Sequence, residues 1–286
     1  MACFRKGNFM DKNALVVKSN ALIEASYRLS LNEQRLILSC ISQIRRDEPV
    51  TDKIMYSISA SDFAKVCDLD LKVAYQQLQS AALTLKRREV RITQEPNGVG
   101  RRKETLVASW VQSIKYSEGN GEVKLRFNHD MLPYLTELSR CFTSYKLKNV
   151  ICMSSSYGVR IYELLMQWKD LGEKEFSVEN LKQLLQVENQ YLQMCNFKAR
   201  VLEPAIKDIN KNSDMWVKCG QKKTGRKVTH LIFQFGLKEE QKTKATKNEI
   251  KILGVAKSVI EKNAQRGETY EQAALRIKNK SIEHCG

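Results

Sequence analysis

The chain has 286 residues, about twice the usual length of a single domain, so two domains, each with its own core, are expected. Lys and Arg number 48 against 32 Asp and Glu, a formal charge of +16. That excess selects a polyanion as partner, nucleic acid first, because neutralised phosphates release condensed counterions. No run approaches the roughly 20 apolar residues of a spanning helix, and residues 1–12 interrupt Phe4 and Phe9 with Arg5, Lys6 and Asp11, so a cytoplasmic chain without a membrane partner is expected.

Residues 31–44 place Leu31, Leu36, Ile37, Leu38, Ile41 and Ile44 at helical spacing, with Pro49 as a stop. A short alternating segment follows at 54–58. Ser61 then caps a helix running to about Cys67, and after a turn at 68–70 a longer helix runs from Lys72 to Lys86. Alternating runs at 90–93, 106–115 and 122–127, separated by Pro96-Asn97-Gly98 and Gly119-Asn120-Gly121, predict strands and hairpins.

The same order returns in the second half. Residues 160–168 form an apolar-faced helix, Phe176-Ser177-Val178 matches Tyr56-Ser57-Ile58, 178–185 matches the short helix and 197–210 the longer one. A closing hairpin pairs 216–218 with 230–233 across the basic turn Lys222-Lys223-Thr224-Gly225-Arg226-Lys227. This duplication predicts an α+β fold of two tandem winged-helix domains, in which a helix-turn-helix carries the DNA-reading helix and a hairpin wing touches the flanking backbone. The predicted boundaries are an extension at 1–13, the first domain at 14–148, the second at 149–237, and a charged tail at 238–286 with short helices around Ile250, Leu253, Val259, Ile260, Ala273, Ala274 and Ile277.

At about 100° per residue, the helix from Phe197 gathers Phe197, Val201, Leu202, Ala205, Ile206 and Ile209 on one side. Arg200, Glu203, Lys207, Asn210 and Lys211 fall on the other, a row suited to a major groove, where Arg and Lys read guanine and Asn reads adenine. Lys198 adds a charge, Lys222, Lys223, Arg226 and Lys227 of the hairpin would hold phosphates, and Pro204 should bend the helix near Arg200. In the first half, Ala74, Leu78, Ala82 and Leu85 are the core side, while Gln76, Gln77, Ser80 and Thr84 are exposed, followed by Lys86, Arg87 and Arg88. Either face also fits an ordinary solvated helix; the basic hairpin beside the second favours DNA there.

Catalytic readings are weak. Residues 220–227 have the glycine spacing of a phosphate-binding loop, yet Arg226 replaces its Lys, Lys227 its Ser or Thr, and the run lies in a hairpin. His129, His230 and His284 are far apart. Cys3, Cys40, Cys67, Cys141, Cys152, Cys195, Cys219 and Cys285 contain no C-x-x-C pair and read as reduced, mostly buried thiols. No catalytic residue, metal or cofactor is expected.

Four segments resemble the iteron-binding plasmid replication initiators of the RepE, RepA and π type. They are Ser19-Asn20-Ala21-Leu22-Ile23-Glu24-Ala25 continuing through Leu29-Ser30 and Glu33-Gln34-Arg35-Leu36; Phe142-Thr143-Ser144-Tyr145; the run from Ser156-Tyr157-Gly158 to Leu164-Leu165; and the run from Phe197-Lys198-Ala199-Arg200 to Ile209-Asn210. They stand in family order over roughly residues 14 to 237. The resemblance implies a second domain that makes the main contacts to each iteron, and a first domain that adds weaker contacts and a dimer surface. Further implied are monomers that open an origin, dimers that repress their own gene at an operator, control of copy number by pairing of origins, and engagement of the host's initiator and replicative helicase. Ala199 departs from relatives that carry another basic residue there. Two other readings are a dedicated winged-helix repressor of an inverted repeat and a nicking initiator, which would need a His cluster and a nucleophilic Tyr.

Overall fold

The computed structural model describes residues 11–45, 50–67, 69–98, 101–117, 121–239, 251–253, 255–263 and 268–283. β1 (Leu15–Ser19) leads into a short α1 (Asn20–Ile23). Ser30 starts α2 (Leu31–Ile41) by a capping box: its hydroxyl accepts from the Glu33 N–H at 3.3 Å, and the Glu33 carboxylate accepts from the Ser30 N–H at 2.6 Å. The helix stops at Ile41 rather than Ile44, because Gln43 and Ile44 donate to carbonyls only three residues back and tighten the chain out of the α ladder. Pro49, the expected stop, lies outside the described residues, as do Asp68 and the turn residues Gly119 and Asn120.

β2 (Tyr56–Ser59) runs into α3 (Ala60–Cys67). Its cap is Ser59, not Ser61: the Ser59 hydroxyl accepts from the Asp62 N–H at 3.0 Å, while Ser61 sits inside the first turn. Asp70 caps α4 (Leu71–Leu85), accepting from the Lys72 N–H at 2.8 Å.

The run 106–115, expected as one strand, is two. β4 (Arg101–Ser109) pairs with β3 (Glu89–Gln94) in a separate hairpin, and β5 (Val111–Ser117) pairs with β6 (Glu122–Phe127). The switch falls at Trp110, which is fully buried and sets its ring edge-on to Tyr27 at 4.8 Å. Alternation cannot register this, because both strands keep one apolar side. β2, β6 and β5 form a three-stranded antiparallel sheet in the order β2-β6-β5.

β7 (Phe142–Lys146) pairs with β1, and α5 (Lys148–Ile151) and α6 (Ser156–Met166) follow. α6 begins four residues before the expected Arg160, because Ser155 caps it through the Gly158 N–H at 3.1 Å. Next come β8 (Glu173–Ser177), α7 (Val178–Leu184), a long helix, and the strands β9 (Met215–Thr224) and β10 (Lys227–Leu237), joined in the order β8-β10-β9. First strand, last strand, middle strand: both sheets have this order behind three helices, and the fold is two winged-helix domains of mixed α and β content. The β3–β4 hairpin is extra to the first copy. One detail of the duplication differs from the expected alignment. Ser177 caps α7 as Ser59 caps α3, so Phe176 corresponds to Ile58 rather than Tyr56. A slip of two keeps each side chain on its own face, which is why the apolar pattern hid it.

The two domains meet on a buried ionic cluster. Lys18, Tyr27 and Tyr145 come from the chain before α6, Arg160 and Glu163 from α6, and all five are at most 3 % exposed. Glu163 takes an ion pair from Lys18 and one from Arg160 at 3.3 Å, and both tyrosine hydroxyls donate to it. Arg160 also donates to Tyr27 Oη at 2.6 Å and to the Ile23 and Ala25 carbonyls at 3.0 Å. Burial by itself pushes the Glu163 carboxyl up, but the Lys18 and Arg160 charges and the hydrogen bonds hold it below the ordinary carboxylate value. Beside the cluster, Gln34 donates to the Ser156 carbonyl at 3.1 Å, and Arg35 to those of Ile151 and Met153 at 3.1 and 3.0 Å.

Contacts divide the chain at Gly236 and Leu237, and the second unit stands by itself. Its described residues hold more than the expected short helices; Ile250 lies outside them. β11 (Lys251–Ile252) and β12 (Val255–Ala256) form a miniature hairpin, and α10 (Lys257–Asn263) and α11 (Tyr270–Glu283) bury Ile260, Ala273 and Ala274 together. Arg276 donates to both Glu268 oxygens, at 2.6 and 2.8 Å. No described helix is long and apolar enough to cross a membrane.

Candidate nucleic-acid interface

The long helix of the second domain is α8 (Met194–Phe197), a π-helical turn over Lys198–Leu202, and α9 (Glu203–Asn212). Its core side is as expected: Phe197, Val201, Leu202, Ala205 and Ile209 are buried, although Ile206 is only partly so. Arg200, Glu203, Lys207, Asn210 and Lys211 are exposed, as is Lys198, whose ammonium lies 3.6 Å from a Glu203 oxygen. The bend expected from Pro204 takes the form of the π turn just before it. Asp208 belongs to neither expected face. It is buried and accepts from the Ser154 and Ser155 N–H groups at 2.8 and 2.7 Å, locking the helix onto the start of α6.

The helix starts a turn before Phe197, earlier than expected: Gln193 caps without a side-chain hydrogen bond, and Met194, three residues before Phe197, is the apolar position that pointed to the extra turn. This exposes Gln193, Cys195 and Asn196 at the N-terminal end. In a recognition helix that end meets the base edges, and an Asn amide there suits adenine.

Asn210 has a different task from the expected one. Its amide N–H donates to the Val217 carbonyl at 2.9 Å and its oxygen accepts from the Val217 N–H at 2.7 Å. The side chain thus clamps the end of the helix to the start of β9. Val217 is buried, so Asn210→Ala leaves both its backbone groups unpaired, at an expected cost of about 1–3 kcal/mol. Hydrogen exchange at the Val217 amide is the check: protection unchanged in the variant would rule out the clamp.

The hairpin is longer than expected. Lys222, Lys223 and Thr224 lie in β9 and Lys227 in β10, and the turn is Gly225-Arg226, with Gly225 at φ +61°, where a side chain would be strained. Successive side chains in β9 therefore point to opposite faces. Lys222 is held by Glu175, whose Oε1 accepts from it at 3.0 Å and lies 3.8 Å from His230 Nδ1. Lys223, Arg226 and Lys227 are exposed. Between wing and helix-turn-helix lies a cleft of about 860 Å³, lined by Leu192, Met194, Arg226, Lys227 and His230. A cationic helix row and a projecting cationic hairpin on one domain are complementary to duplex phosphates and a groove.

The corresponding helix of the first domain is less open. Ala74, Leu78, Ala82 and Leu85 are buried as expected, and Gln76, Ser80 and Arg87 are exposed. Gln77 accepts from the Asn32 amide at 3.0 Å, however, and Arg88 donates to both oxygens of buried Glu33 at 3.0 and 3.2 Å. Gln76, Gln77, Ser80 and Arg88 border a groove of about 410 Å³ against the start of α2. Leu71, Val73 and Leu83 are also exposed on α4, an apolar component that the polar spacing did not reveal.

The cysteines are less buried than expected. Among those described, Cys40 alone is buried, Cys67 and Cys219 are intermediate, and Cys141, Cys152 and Cys195 are exposed, because they sit at element ends rather than on core faces. Cys3, Cys285 and His284 lie outside the described residues.

Known proteins share this fold. Residues 15–166 match the family described as Initiator Replication protein, WH1, and residues 177–235 match Initiator Rep protein, WH2. A replication initiation protein of Escherichia coli is 30% identical over 251 residues, taking in 84% of this chain and 76% of that protein. The PI protein of Escherichia coli is 24% identical over 261 residues, 81% of this chain and 86% of that one. Among solved structures, the Pi initiator protein in complex with iteron DNA superposes with a TM-score of 0.66 at 23% identity, covering 80% of this chain and 99% of that one, a likeness of fold.

Proposed function

Because the chain belongs to the family of initiator Rep proteins, we propose that it initiates plasmid replication by binding directly repeated duplex sites, iterons, at an origin. It acts there as a monomer, helps to open the origin and brings in the host's initiator and replicative helicase; as a dimer it represses its own gene at an operator. The observation that carries this reading is the exposed row Arg200, Lys207 and Lys211 next to Lys223, Arg226 and Lys227 of the hairpin. The second domain, 149–237, makes the main contacts, with Asn196 and Arg200 at base edges, Lys198, Lys207 and Lys211 along the groove, and the wing on phosphates. The first, 14–148, adds weaker contacts through Gln76, Ser80 and Arg87. Gln77, Arg88 and Asn210 act on the interface by positioning, since each already holds a partner within the chain: Gln77 through its amide oxygen, Arg88 through Nε and Asn210 through both ends of its amide. The relative solved on iteron DNA supports the choice of ligand.

The test is to map what the purified protein protects in the DNA flanking its own gene. Regularly spaced direct repeats are expected, preferred over random duplex by at least about a thousandfold. A lone palindrome would make the protein a repressor instead. Within such a site, Arg200→Ala is expected to cost about 1–3 kcal/mol and to relax preference at one base pair. Equal weakening on every sequence would remove Arg200 from base reading.

A further inference from the structure

The π turn in the recognition helix follows from two features of its sequence. Phe197, Val201, Ala205 and Ile209, all fully buried, recur at every fourth position. In an α-helix a four-residue step overshoots a full turn by about 40°, so three steps carry the stripe roughly 120° round the axis, off any single core face. A turn with more residues takes back part of that drift. It is located by Pro204, which has no N–H to give to the Arg200 carbonyl and whose ring would press on that carbonyl in α geometry.

Two contacts record the wider turn. The Glu203 N–H donates to the Lys198 carbonyl, five residues back. The side chains of the same two residues pair at 3.6 Å, although residues five apart on an α-helix point about 140° away from one another. The exposed side chains before the turn, Gln193 and Asn196, are therefore rotated with respect to those after it, Lys207 and Lys211, by an angle that the π turn sets.

We infer that Pro204 is a positioning residue for sequence discrimination: by holding the π turn it fixes the angular register between the base-facing start of the recognition helix and the end that runs along the groove. Proline is exposed here, so no packing need explains it. The inference rests on the proposed DNA-reading role of this helix.

The experiment compares wild type and Pro204→Ala on two probes at one salt concentration: a random-sequence duplex, and the consensus duplex that the wild-type chain selects from a random pool. Thermal midpoints are measured alongside. For Pro204→Ala, affinity for the consensus should fall tenfold or more and that for random duplex less than threefold. Removing Ala199 from the Pro204→Ala chain takes out the extra residue that the wide turn accommodates and should recover at least half of the lost discrimination on a logarithmic scale. An unchanged ratio of the two affinities in Pro204→Ala overturns the inference, as does a parallel loss on both probes together with a lowered midpoint, or no recovery in the deletion. A wild-type chain that selects no consensus would instead overturn the DNA-reading role itself.

Discussion

With glutamine at Glu163, the chain is expected to lose about 3–5 kcal/mol of stability, because Lys18 and Arg160 remain buried with their shared counter-charge gone. Glutamine keeps the size of the side chain and an acceptor for Tyr145, so the loss reports on charge rather than on a cavity. Lys18→Met is expected to be much milder, since Arg160 and Glu163 then still neutralise each other. Urea unfolding of the three chains distinguishes these cases: equal losses for the two variants, or less than about 1 kcal/mol for Glu163→Gln, would mean that the cluster is not held together by charge compensation. The pH dependence has a definite sign. A carboxyl held below its unfolded value of 4.5 contributes stability that is present above that pH and lost as pH falls through the folded value. The gap between wild type and Glu163→Gln should therefore be constant at neutral pH and close below about pH 4.5.

Glutamine at Lys223, Arg226 and Lys227 together is expected to make the log–log salt dependence of duplex binding shallower by about 2.7, near 0.9 for each phosphate that is no longer neutralised. The fall in affinity should be the same on specific and random duplexes, because a wing on phosphates carries no base information. Lys222→Gln alone should change the slope much less, since Glu175 already partners that charge in the unbound protein. Titrations at four or five salt concentrations decide the matter. An unchanged slope in the triple variant would take the wing out of the interface, and a sequence-dependent fall would make it a reader of bases.

The residues that carry the family resemblance are mostly not the residues expected to touch DNA. Ser19 to Ala25, Phe142 to Tyr145 and Ser156 to Leu165 converge on the buried joint: Ile23 and Ala25 lend carbonyls to Arg160, Tyr145 donates to Glu163, and Ser156 accepts from Gln34. The relation of the two domains is thus written in a polar core where every group constrains several others. Exposed side chains proposed as readers, such as Asn196 and Arg200, carry no such constraint, so the resemblance by itself assigns neither the repeat sequence nor the side chains that read it.

The sequence alone determined what depends on neighbours within a turn or a strand. The apolar stripe from Phe197 to Ile209, the duplicated order of elements and the basic run of the hairpin were all legible, because periodicity and charge act over a few residues, whereas the cap expected at Ser61 falls to Ser59. The rest depended on partners far away in the chain. That Trp110 divides one apolar run between two sheets follows from its packing on Tyr27, and the Glu163 cluster joins Tyr27 to a residue 136 positions later. Likewise Arg88 is tied through Nε to Glu33, 55 positions away, while still bordering the groove, and the Asn210 amide is taken up by the Val217 backbone. An exposed position in a helical pattern says only that a side chain leaves the core. Whether it then meets solvent, a ligand or another part of the protein is decided by the tertiary structure, since only that structure brings the competing partner within hydrogen-bonding distance.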